Sequence, residues 1–126
     1  MQGSLILYIG IGGFLGAVSR FFISTEAVKL FGESLPYGTL VVNVIGSFII
    51  GFLAMFFEQH IYPEYRALFI TGFLGALTTF SSFSLETTLL IGQHLYLKAA
   101  LHTFLNVTLT ISATILGMML YRKYLY

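Results

Sequence analysis

Four stretches of this chain are each apolar over about the 20 residues that a helix needs to cross bilayer hydrocarbon. They run from about 5 to 24, 38 to 57, 67 to 91 and 99 to 121. Backbone groups in hydrocarbon must be satisfied within the segment, so such stretches are expected to be helical. Composition agrees: 57% of the 126 residues are hydrophobic and only 9% are charged. A soluble domain carries about 25% charged residues to cover its surface. This chain cannot cover a water-facing surface. The connections hold Glu26, Lys29, Glu33 and Pro36, then Glu58, His60, Pro63, Glu64 and Arg66, then His94 and Lys98. They are too short to hide a further domain. The expectation is an all-α membrane protein, one domain over residues 1–126, with four transmembrane helices.

Several classes fall away. The net charge is +1 and the basic residues do not cluster beyond Arg122 and Lys123, so nothing points to nucleic acid. Cysteine is absent, which removes disulfides and thiolate metal sites. The N-terminus lacks a basic region, so the first apolar segment is expected to remain in the mature protein. Orientation should follow Lys and Arg in the connections. With four spans, Arg66, Arg122 and Lys123 share one side, and Arg20, Lys29 and Lys98 share the other. That even split points to insertion in both orientations and to pairing with an inverted copy. A small bias that these few charges do not reveal is the alternative.

Small residues mark where helices come close. Gly12 and Gly16 lie four apart with Gly13 and Ala17 beside them, and Ser47 and Gly51 lie four apart in the second segment. Four helices of this length enclose little space, so these seams suggest a dimer, with packing inside one subunit the plainer reading. The second segment also carries Thr39, Asn43 and Ser47, and the fourth carries His102, Asn106, Thr110 and Thr114. Steps of four residues keep each set on one slowly turning face. Hydroxyls can fold back onto the preceding turn. Asn43 and Asn106 are costlier in hydrocarbon and point to a shared hydrated path. Every acid is Glu, and only Glu86 falls within a span. A proton-coupled exporter and an acidic cation filter therefore both lack their carboxylates. An Asn/Ser/Thr lining offers donors that suit an anion. Arg20 could concentrate anions at an entrance or simply anchor its helix at the interface.

The third segment holds GFLGALTTFSSFS, Gly72 to Ser84. Gly72 and Gly75 each weaken a helix by about 1 kcal/mol relative to Ala. Thr78, Thr79, Ser81, Ser82 and Ser84 offer partners to backbone groups that leave the helix. Unwinding inside a membrane is tolerated where it is covered by protein or lines water. A break is expected near residues 75–79, with the second half-helix pointing its positive end inward. Freed carbonyls at the break could bind a small cation. Phe80 and Phe83 lie on one face of that half-helix, where ring edges could meet a dehydrated anion. Ordinary apolar packing of the two rings stays open beside that reading.

TGFLGALTTFSSFS, with GTLVVN (Gly38 to Asn43) and the Gly-rich first segment ending in Arg20, resembles the CrcB/Fluc-type fluoride channels over essentially the whole chain. The resemblance implies an antiparallel, dual-topology homodimer in the bacterial plasma membrane, with two antiparallel pores that passively release cytoplasmic fluoride. Phe80, Phe83 and Asn43 match its pore positions, with Ser81 beside the rings, and Asn106, Thr110 and Thr114 fall on its last-helix polar track. Gly75 and Thr78 match residues whose carbonyls bind a central structural Na⁺ between subunits. Arg20 matches a vestibule arginine, and Glu86 matches a recurrent glutamate without a firm role. Two positions depart from the pattern: Asn106 stands where Tyr or His begins the track, and Ser82 stands where Thr is common. The competing readings are a small dual-topology multidrug exporter and a membrane protein without transport activity. The exporter would need an acid in the first span, and the first acid is Glu26, beyond it.

Overall fold

A computed structural model describes residues 2–126. Four helices are long and apolar enough to cross a membrane: Gln2–Phe31, Tyr37–Gln59, Pro63–Gly92 and Tyr96–Leu125. The first is α1 (Gln2–Phe31) and the second is α2 (Tyr37–Gln59). The third is composite. A short α3 (Pro63–Arg66) begins at a proline, whose missing N–H costs nothing in a first turn. It runs into a π-helical stretch, Ala67–Leu74, and one closing turn, α4 (Gly75–Leu77). The chain then breaks and resumes as α5 (Phe80–Gly92), and α6 (Tyr96–Leu125) completes the fold. α1 ends at Gly32, whose φ of +86° is the left-handed geometry that suits a residue without Cβ.

α1 and α6 are each 30 residues long and run past the apolar stretches that mark them in the sequence. Arg20, which the sequence places near a helix end, therefore lies well inside α1, eleven residues before Phe31. Large apolar side chains cover the outside, among them Ile6, Phe14, Leu30, Phe104 and Ile115. Such continuous apolar exposure fits lipid rather than water. The interior is small and centres on Val42, Leu74 and Leu77, packed by Ile23, Ile49, Ile50, Leu53 and Phe73. At the second connection His60 stacks on Phe56 at 4.4 Å and faces Tyr62 at 6.2 Å, an aromatic group at the height of a membrane edge.

Between apolar helices the bilayer supplies no hydrophobic drive, so close backbone approach sets the packing. α1 lies along the π-helical stretch, and a Cβ on Gly12 or Gly16 would come within 2.1 Å of the Leu68 or Phe73 carbonyl oxygen. α2 lies along α6, where a Cβ on Gly51 would meet the Thr114 carbonyl oxygen at 2.1 Å. Both seams that the sequence offers for oligomerisation are thus occupied within one subunit.

Candidate functional site

The break in the third span is shorter than its glycines suggest. Gly75 keeps helical angles, φ −61° and ψ −34°. Only Thr78 (φ −83°, ψ 157°) and Thr79 (φ −150°, ψ 122°) are extended. Gly72 is there for packing, because a Cβ would sit 2.6 Å from the Ile9 carbonyl oxygen of α1. The sequence signal for the true position is Thr79 itself. As the residue before α5, its Oγ1 accepts the Ser82 N–H at 3.1 Å, the role Thr favours at a helix start. Thr78 Oγ1 donates to the Leu74 carbonyl at 2.9 Å and ends the preceding turn.

The main chain of Thr79 is satisfied from another helix. Asn43 Oδ1 accepts the Thr79 N–H at 2.8 Å, and Asn43 Nδ2 donates to the Thr79 carbonyl at 3.1 Å. The carboxamide pairs with this residue as a neighbouring peptide would. Asn43 Nδ2 also donates to Asn106 Oδ1 at 3.0 Å. Asn106 Nδ2 in turn reaches the His102 carbonyl at 2.9 Å and His102 Nδ1 at 3.2 Å. His102 Nε2 lies 3.1 Å from Glu86 Oε2, and Thr39 Oγ1 donates to Glu86 Oε1. The polar stripes of α2 and α6 thus meet in one series of hydrogen bonds that ends on the break. His102 and Asn106 are buried, at 1% and 5% exposure.

Two cavities flank this joint. One, of about 330 Å³, is lined by Asn43, Ser47, Gly75, Thr78, Phe80, Phe83, Asn106 and Thr110, with Thr79 at its wall. The rings of Phe80 and Phe83 lie 5.4 Å apart and tilt by 58°. The other, of about 500 Å³, includes Arg20, Ser24, Thr39, Ser82 and Glu86, again with Thr79 at its wall. It opens on the side of the α1–α2 connection.

The structure brings Asn43, Phe80, Phe83, Asn106 and Thr110 to one groove. Arg20 lies in the second cavity. Ser81 is exposed beside the joint, with Oγ 3.4 Å from Thr79 Oγ1. Thr110 and Thr114 turn their hydroxyls back to the Asn106 and Thr110 carbonyls, the self-satisfied state open to any helical Thr. Both Nδ2 hydrogens of Asn43 are engaged, as are those of Asn106. What lines the groove besides these satisfied groups is Ser47, the Phe80 and Phe83 rings and the start of α5, whose first amides have no carbonyl partner inside their helix, the Ser82 N–H being taken by Thr79 Oγ1. Glu86, without a role in the sequence, is the acceptor that joins α2 and α6 to α5.

Fold and site together define a small multi-pass membrane protein built around a broken third span, with a charge-free groove on one side of the break and a charged cavity on the other. The chain belongs to the CrcB family: residues 7–118 match the family described as "CrcB-like protein, Camphor Resistance (CrcB)". It is 58% identical over 123 residues to the fluoride-specific ion channel FluC of a Nitratiruptor species, covering 98% of this chain and 96% of that protein. The protein of the same name from a Sulfurovum species is 52% identical over 123 residues, with 98% of each chain covered. That of Vibrio parahaemolyticus is 48% identical over 121 residues, with 94% of this chain and 95% of that one covered.

Proposed function

We propose that this chain forms a passive, fluoride-selective channel that lets cytoplasmic fluoride leave the cell and so relieves its toxicity. The observation that carries the reading is the start of α5. There the positive end of a half-helix opens beside Phe80 and Phe83 in a groove whose lining bears no charge. A small anion that sheds water there meets amide dipoles and positive ring edges, while a cation meets no carboxylate. The near full-length likeness to proteins named for fluoride specificity supports the same ion.

In this reading two copies pair in inverted orientation in the bacterial inner membrane and form two antiparallel pores. Three observations support the pairing. Lys and Arg near the helix ends divide nearly evenly between the two sides, three against two with Arg20, inside α1, set aside. Phe80 is 79% exposed on a single subunit. Gly75 lies exposed beside the break, with only the Ile70 carbonyl oxygen, at 3.7 Å, near a Cβ placed there. A structural Na⁺ fits the same face. In an unbroken helix the Gly75 and Thr78 carbonyls would accept the amides of Thr79 and Ser82. Those amides go instead to Asn43 Oδ1 and Thr79 Oγ1. Two carbonyls released in this way on each subunit offer the oxygen donors that such an ion takes from unwound backbone. A bound cation would hold two inverted breaks together.

The test is fluoride efflux from liposomes, read with a fluoride electrode and with no proton gradient imposed. Fluoride should leave and chloride should stay. Phe80→Ile and Phe83→Ile should each cut the flux about tenfold or more in correctly assembled protein, if the ring edges replace lost hydration. Equal fluoride and chloride release, or none of either from well-folded protein, would refute the channel reading.

A further inference from the structure

We infer that Ser47 is a ligand of the permeating anion: its hydroxyl is the donor that takes over from water one turn beyond the Asn43–Asn106 pair. This rests on the channel reading above. α2 and α6 run parallel along this stretch. Asn43 bonds Asn106, and eight residues further on a Cβ at Gly51 would meet the Thr114 carbonyl oxygen. Ser47 therefore stands level with Thr110, about 6 Å along the helix axis from the amide pair. Both residues line the groove. The placement of α2 is firm here, because a Cβ on Gly46 would come within 2.3 Å of Thr78 Cγ2. The helix that carries Ser47 rests directly on the break.

A small anion takes N–H and O–H donors and is repelled by lone pairs, so what matters is which donors are still open. The Nδ2 hydrogens of Asn43 go to the Thr79 carbonyl and Asn106 Oδ1. Those of Asn106 go to His102, at its carbonyl and its ring. Thr78 donates to the Leu74 carbonyl and Thr110 to the Asn106 carbonyl. With its proton turned to the backbone, Thr110 offers the groove only oxygen lone pairs. Thr79 Oγ1 accepts the Ser82 N–H and lies 3.4 Å from Ser81 Oγ. Ser47 differs from all of these. It is half-buried on the groove wall, and its hydroxyl has no hydrogen-bond partner among the described residues. Such an O–H bonds whatever fills the groove, water at rest and the anion as it passes. Serine suits the task. Its unbranched Cβ lets the hydroxyl turn outward, whereas the branched threonines of α6 fold back onto the preceding turn. The anion then meets Phe80, Phe83 and the start of α5 as well as the Ser47 hydroxyl, all within one groove.

The experiment is fluoride current through reconstituted protein in planar bilayers, with melting in detergent measured on the same samples. Ser47→Ala should lose current about fivefold, the factor set by one net hydrogen bond. Its melting midpoint should match wild type, because the hydroxyl has no partner in the protein to lose. A structural role would move the midpoint instead. Full current in Ser47→Ala, a lowered midpoint or a failure to fold would each overturn the proposal. Ser47→Cys gives a second readout, since the chain has no cysteine of its own. A thiol is close in size to the hydroxyl but a weak donor, so the current should fall below wild type. Ag⁺ in chloride-free fluoride solution should block this variant and spare wild type. A Ser47→Cys current that Ag⁺ leaves untouched would place the side chain outside the pathway and overturn the proposal. Wild-type protein without fluoride current refutes the channel reading and this proposal with it. A conducting wild type matched by Ser47→Ala refutes this proposal alone.

Discussion

Asn43 gives Thr79 what an adjacent strand or helix turn would give it, a donor and an acceptor held in one plane. Asn43→Asp keeps the shape and the acceptor but sets an anionic oxygen against the Thr79 carbonyl and Asn106 Oδ1. That variant should lose about 2–3 kcal/mol of stability at neutral pH, read as a lower thermal or denaturant midpoint in detergent. A midpoint unchanged from wild type would show that the joint does not depend on the amide. Much of this site was legible in the sequence as residue types. The four-residue steps of Thr39, Asn43 and Ser47, and of His102, Asn106, Thr110 and Thr114, already placed each set on one face. Partners were not legible, because Asn43 and Thr79 lie 36 residues apart and what Asn43 holds is main chain. Backbone clients leave no side-chain signature. The same holds for Glu86, which meets a histidine 16 residues further along the chain.

At the scale of elements, the apolar stretches marked the four spans because hydrocarbon length fixes helix length. What they could not mark was the overshoot into the interface, where α1 continues to Phe31. The break was legible as a broken third span, but its position was drawn toward glycine. Gly72 and Gly75 stay in helical structure, and the extended residues are the two threonines. Glycine signals both flexibility and close approach, and here packing claims Gly72. The α2–α6 seam offers a direct check. A Cβ at Gly51 would meet a backbone oxygen at 2.1 Å, so Gly51→Ala must push the helices apart. It should lower stability by about 1–3 kcal/mol, the usual cost of overpacking. Gly10→Ala meets nothing within 4 Å and should be neutral or mildly stabilising through better helix propensity. Equal melting of the two variants would mean that the seam is not as tight as drawn.

For the whole molecule, one subunit leaves its groove open and Phe80 uncovered, which is why the functional reading is carried by a pair. The proposed Na⁺ ties assembly to ion content. Replacing Na⁺ with a large organic cation should lower the melting temperature of the dimer, and returning Na⁺ should restore it as the site fills. At about 100 times its dissociation constant, a bound ion adds about 2.7 kcal/mol. Melting that does not change with Na⁺ would remove the ion from the assembly. The near-even division of Lys and Arg was the sequence feature that spoke for an inverted partner, while the glycine seams that suggested a dimer are filled within one subunit.

The pairing of Asn43 with Thr79 also bears on how such a sequence can drift over generations. When two side chains depend on each other, as Glu86 and His102 do, a change in one can be answered by a change in the other. The partner of Asn43 is a peptide group, and a peptide group cannot mutate. No second-site substitution on the broken span can therefore rescue a lost carboxamide. Around Glu86 the partners, Thr39 and His102, are side chains that can change with it, while position 43 has no such freedom.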